Sequence, residues 1–166
     1  MMHETRIARV VEIVEPRRVA HSYTQRLLAP PERVFPLLCP VRETEWVAGW
    51  SPRLVISESG LIEPDCVFIT PEDESEAVWY VTVHASERWQ VQMVKITPEV
   101  TACRLDIVLE RDGEGCAADV TYTHTSLGER GDEFVKGFTS ERYRHFMEQW
   151  EAALNHFLAT GKQLAP

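Results

Sequence analysis

Three features of the chain predict an α+β fold in which a curved antiparallel sheet wraps around one long C-terminal helix. Residues 101–112 and 116–126 alternate between apolar and polar side chains with a period of two, as half-buried strands do. Residues 140–160 place Tyr143, Phe146, Trp150, Ala153, Leu154 and Phe157 at three- and four-residue steps, the stripe of an amphipathic helix. Between residues 30 and 52, Pro30, Pro31, Pro36, Gly49 and Pro52 restrict the chain to short helical pieces.

The elements follow in order. Residues 1–16 mix charged and β-branched side chains and fit a strand or a helix equally, so they are treated as an N-terminal extension to a domain spanning 17–166. Residues 17–28 suit a strand that stops at "APPE", and "PERVFPLL" reads as a short helix begun by proline and limited by Pro36. "VRETEWVAGW" is a second short helical piece. Six strand-like runs then follow: "RLVISES", "CVFIT", "AVWYVTVHA", "RWQVQMVKI", "TACRLDIVLERD" and "CAADVTYTHTS". On the fifth, Cys103, Leu105, Ile107 and Leu109 share one face, opposite Arg104, Asp106 and Glu110. On the sixth, Val120, Tyr122 and His124 fall together. The third run is apolar on both faces, so the side taken by His84 is undetermined, as is that of His21 on the first strand. Thr139 or Ser140 can cap the terminal helix, and Gly161 suits its end. The aromatic stripe needs a broad apolar surface, and the sheet's inner face offers one. One helix cannot fill such a concave face, so a cavity is expected there, with the short helices across its mouth.

Composition narrows the functional classes. With 166 residues, 44% apolar and 26% charged, the chain can bury a core without disulfide or metal staples, as water-soluble globular proteins do. A formal charge of −9 opposes binding to nucleic acid or to anionic lipid surfaces. Cysteines at 39, 66, 103 and 116 form no Cys-x-x-Cys pair and have no histidine at zinc-ligand spacing, so reduced thiols in a cytoplasmic protein are expected, with no metal and no cofactor. The longest N-terminal apolar run, "VVEIV", is too short to insert in a membrane. No phosphate-binding glycine loop and no nucleophile-elbow serine is present.

The order of elements, "APPERVFPLL" after the first strand, "EWVAGW" after the second helix and the closing "MEQWEAALNHFLATGK" resemble the START-like, or SRPBCC, superfamily over about residues 17–160. The resemblance implies the helix-grip fold shared by pollen allergens, lipid-transfer domains and polyketide cyclase/dehydrases. Members carry hydrophobic ligands, cyclise polyketides or assist a chaperone, and no catalytic signature is common to them.

Candidate site residues come from the inner faces and the cavity mouth: Trp46, Trp50, Trp79, Trp89, Leu105, Ile107, Tyr122, His124, Phe146 and Trp150. Trp46 and Trp50 are either core anchors or pocket wall, and in this architecture one residue can be both. Arg42 and Glu43, just before them, are either polar contacts to a ligand or a surface pair. His124 is either a core histidine satisfied by Tyr122, Tyr143 or a carbonyl, or a cavity base. The leading expectation is a protein, monomer or homodimer, that binds a small hydrophobic or aromatic molecule. The alternatives are a cyclase/dehydrase-like enzyme with His124 as base and Tyr80, Tyr122 or Arg42 orienting oxygens, and a co-chaperone-like interaction module.

Overall fold

The computed structural model describes residues 10–166; of the N-terminal extension, residues 1–9 lie outside the described residues, and 10–17 form no regular element. Seven strands build one sheet: β1 (Arg18–Leu27), β2 (Leu54–Ile56), β3 (Val67–Pro71), β4 (Glu76–Ala85), β5 (Gln90–Thr97), β6 (Thr101–Asp112) and β7 (Gly115–Ser126). Their order is β1-β7-β6-β5-β4-β3-β2, and every neighbouring pair is antiparallel. The proline-governed stretch forms helix α1 (Pro31–Val34), continuing as a 3-10 turn over Phe35–Leu38, and a second 3-10 turn over Arg42–Glu45. Pro36 removes an N–H donor inside the first piece, where the tighter turn takes over. Helix α2 (Glu129–Gly137) and the long α3 (Ser140–Thr160) close the chain.

The register puts inward residues of six strands in cross-sheet rows. Val19, His124, Cys103, Lys95, Trp79 and Phe68 form one row. His21, Tyr122, Leu105, Met93 and Val81 form the next. The alternation along β6 and β7 therefore faces α3, as an antiparallel sheet with one wetted side requires. On β4 the register shifts between Val81 and Val83, a bulge that changes which residues face inward. Before it Ala77, Trp79 and Val81 are buried while Val78 and Tyr80 are exposed; after it His84 comes inward to stack on Phe35 at 4.8 Å. The exposed Val78 and Tyr80 make both faces of this strand apolar in sequence, and the bulge then carries His84 to the inner face.

Helix α3 starts with the Thr139 side chain accepting from the Arg142 N–H and ends at Gly161. Tyr143, Met147, Leu154 and Leu158 are its buried residues, and the Tyr143 hydroxyl donates to the Val120 carbonyl of β7. Helix α2 sits across β7 near the β5–β6 turn because Gly131 permits it: a Cβ there would lie 1.9 Å from the Val100 carbonyl oxygen. This close approach brings Phe134 and Phe138 over His124.

Candidate ligand-binding cavity

Between the sheet, α2, α3 and the segment after α1 lies a cavity of about 600 Å³. Small-molecule sites commonly fall within roughly 300–1,000 Å³. Its floor is the inward rows of the sheet: Phe68, Trp79, Met93, Lys95, Leu105, Ile107, Val120, Tyr122 and His124. Phe146, Met147, Trp150 and Leu154 of α3 form its roof. Ala48, Gly49, Arg142, His145 and Gln149 are exposed as well as lining, so the rim runs between the loop before β2 and one side of α3.

Trp46 and Trp50 answer for both roles at once. Neither is helical, because the second 3-10 turn ends at Glu45 and Gly49, at φ +77°, turns the chain back. The Trp46 N–H donates to the Leu37 carbonyl at 2.9 Å and the Trp50 N–H to the Pro40 carbonyl at 2.8 Å. With those donors satisfied, the rings meet Trp150 edge-on, at 5.2 Å and 6.4 Å between centroids. Phe146 joins the cluster 5.8 Å from Trp150 and 6.0 Å from Tyr122. These contacts hold α3 to the loop, and the same rings line the cavity.

Three polar groups face this apolar space without a protein hydrogen bond among the described residues. His124 is buried with its Nδ1 unpartnered, boxed by Phe138 at 4.6 Å and Phe134 at 4.8 Å. Neither Tyr122, Tyr143 nor a backbone carbonyl bonds it. Burial, helped by Lys95 and His21, lowers its pKa to about 4, so the ring is neutral near pH 7. Burial raises the Tyr122 phenol well above 10. The third group is the half-buried Glu43, which lines the cavity and whose carboxyl makes no side-chain bond; burial lifts its pKa to about 8. Lys95 differs, because its ammonium is already held by Glu72 at 2.5 Å and lies 5.2 Å from the Trp79 ring centroid.

Of the residues singled out in sequence, Trp46, Trp50, Trp79, Leu105, Ile107, Tyr122, His124, Phe146 and Trp150 line the cavity. Three do not. Arg42 pairs with Glu45 on the surface, one turn along the same 3-10 segment. Tyr80 points outward from β4 and donates to Asp65 at 2.7 Å. Trp89 falls in the β4–β5 turn with φ +50° and packs edge-on against Phe35 at 5.5 Å, away from the cavity. Glu43, by contrast, enters the cavity instead of pairing with Arg42. Glu43 was one of the two polar candidates there, whereas Lys95, Phe134 and Phe138 were not anticipated; Lys95 shares the inward parity of Val91 and Met93, and the two phenylalanines stand four apart, so both signals were present. Among the described residues no three His, Cys, Asp or Glu side chains are placed to hold a metal ion, and no helix is long and apolar enough to cross a membrane.

This sheet gripping a terminal helix over an internal cavity is the helix-grip fold. The solved structure of norcoclaurine synthase from Thalictrum flavum is similar with a TM-score of 0.65 at 11% identity, covering 92% of this chain and 95% of that one. Ara h 8.0201 is similar with a TM-score of 0.60 at 11% identity over 86% of this chain and 99% of that one. DynU16, from the dynemicin biosynthetic locus, matches with a TM-score of 0.59 at 14% identity over 86% of this chain and 48% of that one. No protein-family model and no curated protein sequence matches the chain.

Proposed function

We propose that the chain binds a small, largely apolar molecule with an aromatic body in the cavity between the sheet and α3. The observation that carries this reading is a 600 Å³ space walled by aromatic rings, with polar groups facing it that have no protein partner. Leaving the buried His124 Nδ1 unbonded costs roughly 1–3 kcal/mol, which a ligand's polar atom, or water, would recover. The aromatic walls supply contact area at low entropic cost, and Glu43, Tyr122 and His124 supply orientation.

The test is native mass spectrometry of the purified protein, followed by titration with the neutral dye N-phenyl-1-naphthylamine. One dye should bind per chain and be displaced by whatever co-purifies. Leu105→Phe, which enlarges a floor residue, should lower dye affinity at least tenfold with the fold intact. A dye that ignores Leu105→Phe would remove the cavity from the account.

One observation favours a second reading, a cyclase/dehydrase-like enzyme: His124 is neutral, unbonded and faces the cavity. In that reading a His124 nitrogen takes a proton from the carbon beside a ligand carbonyl. The electron pair moves onto the carbonyl oxygen, and the Tyr122 hydroxyl donates to the resulting enolate. The low basicity of His124 weighs against it. His124→Gln keeps a polar side chain that cannot act as a base; an enzyme loses turnover with affinity within a few-fold, whereas a binder has only affinity or stability to lose.

A further inference from the structure

Glu43 is the one carboxyl among the residues lining the cavity, and it makes no ion pair among the described residues. The cavity's interior cation, Lys95, has its counter-ion in Glu72, while Glu43 has none: Arg42 is taken by Glu45, and Arg142 and His145 stand exposed at the rim. Glu43 also lies three residues before Trp46 and lines the same cavity as Tyr122. The Tyr122 phenol has no protein partner either, so a carboxylate and a hydroxyl oxygen both stand ready to accept. The aromatic rings around them present π-faces, which attract cations.

We propose that the ligand carries a protonated amine, seated against Glu43 and Tyr122, with its aromatic body among Trp46, Trp50, Phe146 and Trp150. The inference rests on the cavity being a ligand site and names the ligand's chemistry. An ammonium pairs with the ionised form of this carboxyl and brings several N–H donors, and charge-assisted bonds of this kind are about twice as strong as neutral ones. Near pH 7 the unoccupied carboxyl is mostly protonated, so amine binding drives a proton off Glu43. Amine affinity therefore rises with pH until Glu43 is fully ionised. The other titratable groups facing this space are Lys95 from β5, Tyr122 and His124 from β7, and Arg142 and His145 from α3.

The experiment compares three naphthyl probes by titration calorimetry: 2-naphthylmethylamine, the neutral 2-naphthylmethanol and the anionic 2-naphthoate. The amine should bind at least tenfold more tightly than the alcohol, and the carboxylate most weakly. Glu43→Gln should erase the amine's advantage over the alcohol, and Tyr122→Phe should reduce it several-fold. Between pH 6 and pH 8 the amine's affinity should climb at least tenfold in the wild type and in His145→Gln, but not in Glu43→Gln. If the alcohol binds as tightly as the amine, Glu43 serves as a neutral donor to a ligand oxygen, and the amine inference falls while the cavity reading stands. A rise with pH that disappears in His145→Gln also overturns it. If no probe binds, both readings fall together.

Discussion

The concave face of the sheet has two ends built from different materials. At one, under α1, Leu27, Val34, Phe35, Leu109, Cys116 and Leu158 are buried and none of them touches the cavity. At the other, Phe68, Trp79, Tyr122, Phe134, Phe146 and Trp150 surround the 600 Å³ space. The first end consists mainly of aliphatic side chains; the second, of rings, stacked at Phe68–Trp79 and meeting edge-on around Trp150, that leave a gap. T-shaped contacts such as Trp46–Trp150, at 89° between planes, stabilise a wall without filling the volume behind it. One sheet and one helix thus serve a packed core and a hollow, and the division falls along the strand rows. Polar groups follow it: the unbonded His124, Tyr122 and Glu43 all belong to the hollow end.

The largest expected effect is at the packed end. Phe35 is 3% exposed, stacked on His84 and edge-on to Trp89. Phe35→Ala should destabilise the fold by about 3–5 kcal/mol, through lost transfer energy and the void left behind. Dye affinity measured below the melting transition should not change. Loss of affinity in step with stability would show that the two ends are one mechanical unit.

This comparison also shows what the sequence reveals. The fold was legible because β6, β7 and α3 have clean periods, and the positions of Tyr122, His124 and Trp150 follow from those periods alone. Trp89 was misplaced because it sits in a turn in the left-handed conformation, and Tyr80 because apolar rings stand on both faces of β4 ahead of its bulge. Glu43 was open to two readings in the sequence, a ligand contact or a surface pair. Next to Arg42 in a charged run it resembles a surface pair, and only the 3-10 geometry gives Arg42 to Glu45 and turns Glu43 inward. Side-chain direction in a four-residue turn depends on what the loop packs against, which no local pattern records.

The next effect in size lies at the hollow end and concerns acid. The folded chain holds His124 neutral down to about pH 4, while an unfolded histidine takes up its proton near 6.5. Between those values the unfolded state binds the extra proton, so His124 lowers stability as pH falls from 6.5 to 4, by about 3 kcal/mol in all. His124→Leu removes that proton site and the unbonded Nδ1 together. Thermal melts at stepped pH should show wild type losing ground to His124→Leu across this window. Parallel curves would place a hydrogen-bonding partner on His124 in solution.

The smallest effect has the opposite pH sign and separates the two hollow-end groups. Glu43 keeps its proton up to about pH 8 when folded, against an ordinary 4.5. Here the folded state binds the extra proton between those values, so ionisable Glu43 lowers stability as pH rises through them. Glu43→Gln cannot ionise and escapes the loss. Water reaching the carboxyl through the rim screens part of the cost, leaving a gain on the order of 1–2 kcal/mol at pH 7 that vanishes below about pH 4.5. Melts of Glu43→Gln and wild type should coincide at pH 4 and part as pH rises toward 8. The substitution keeps the size of the side chain and its hydrogen-bonding atoms, so a gap already present at pH 4 would point to packing. A gain confined to high pH would mark Glu43 as a residue kept in the cavity at a cost to folding, as expected of a side chain that waits for a ligand.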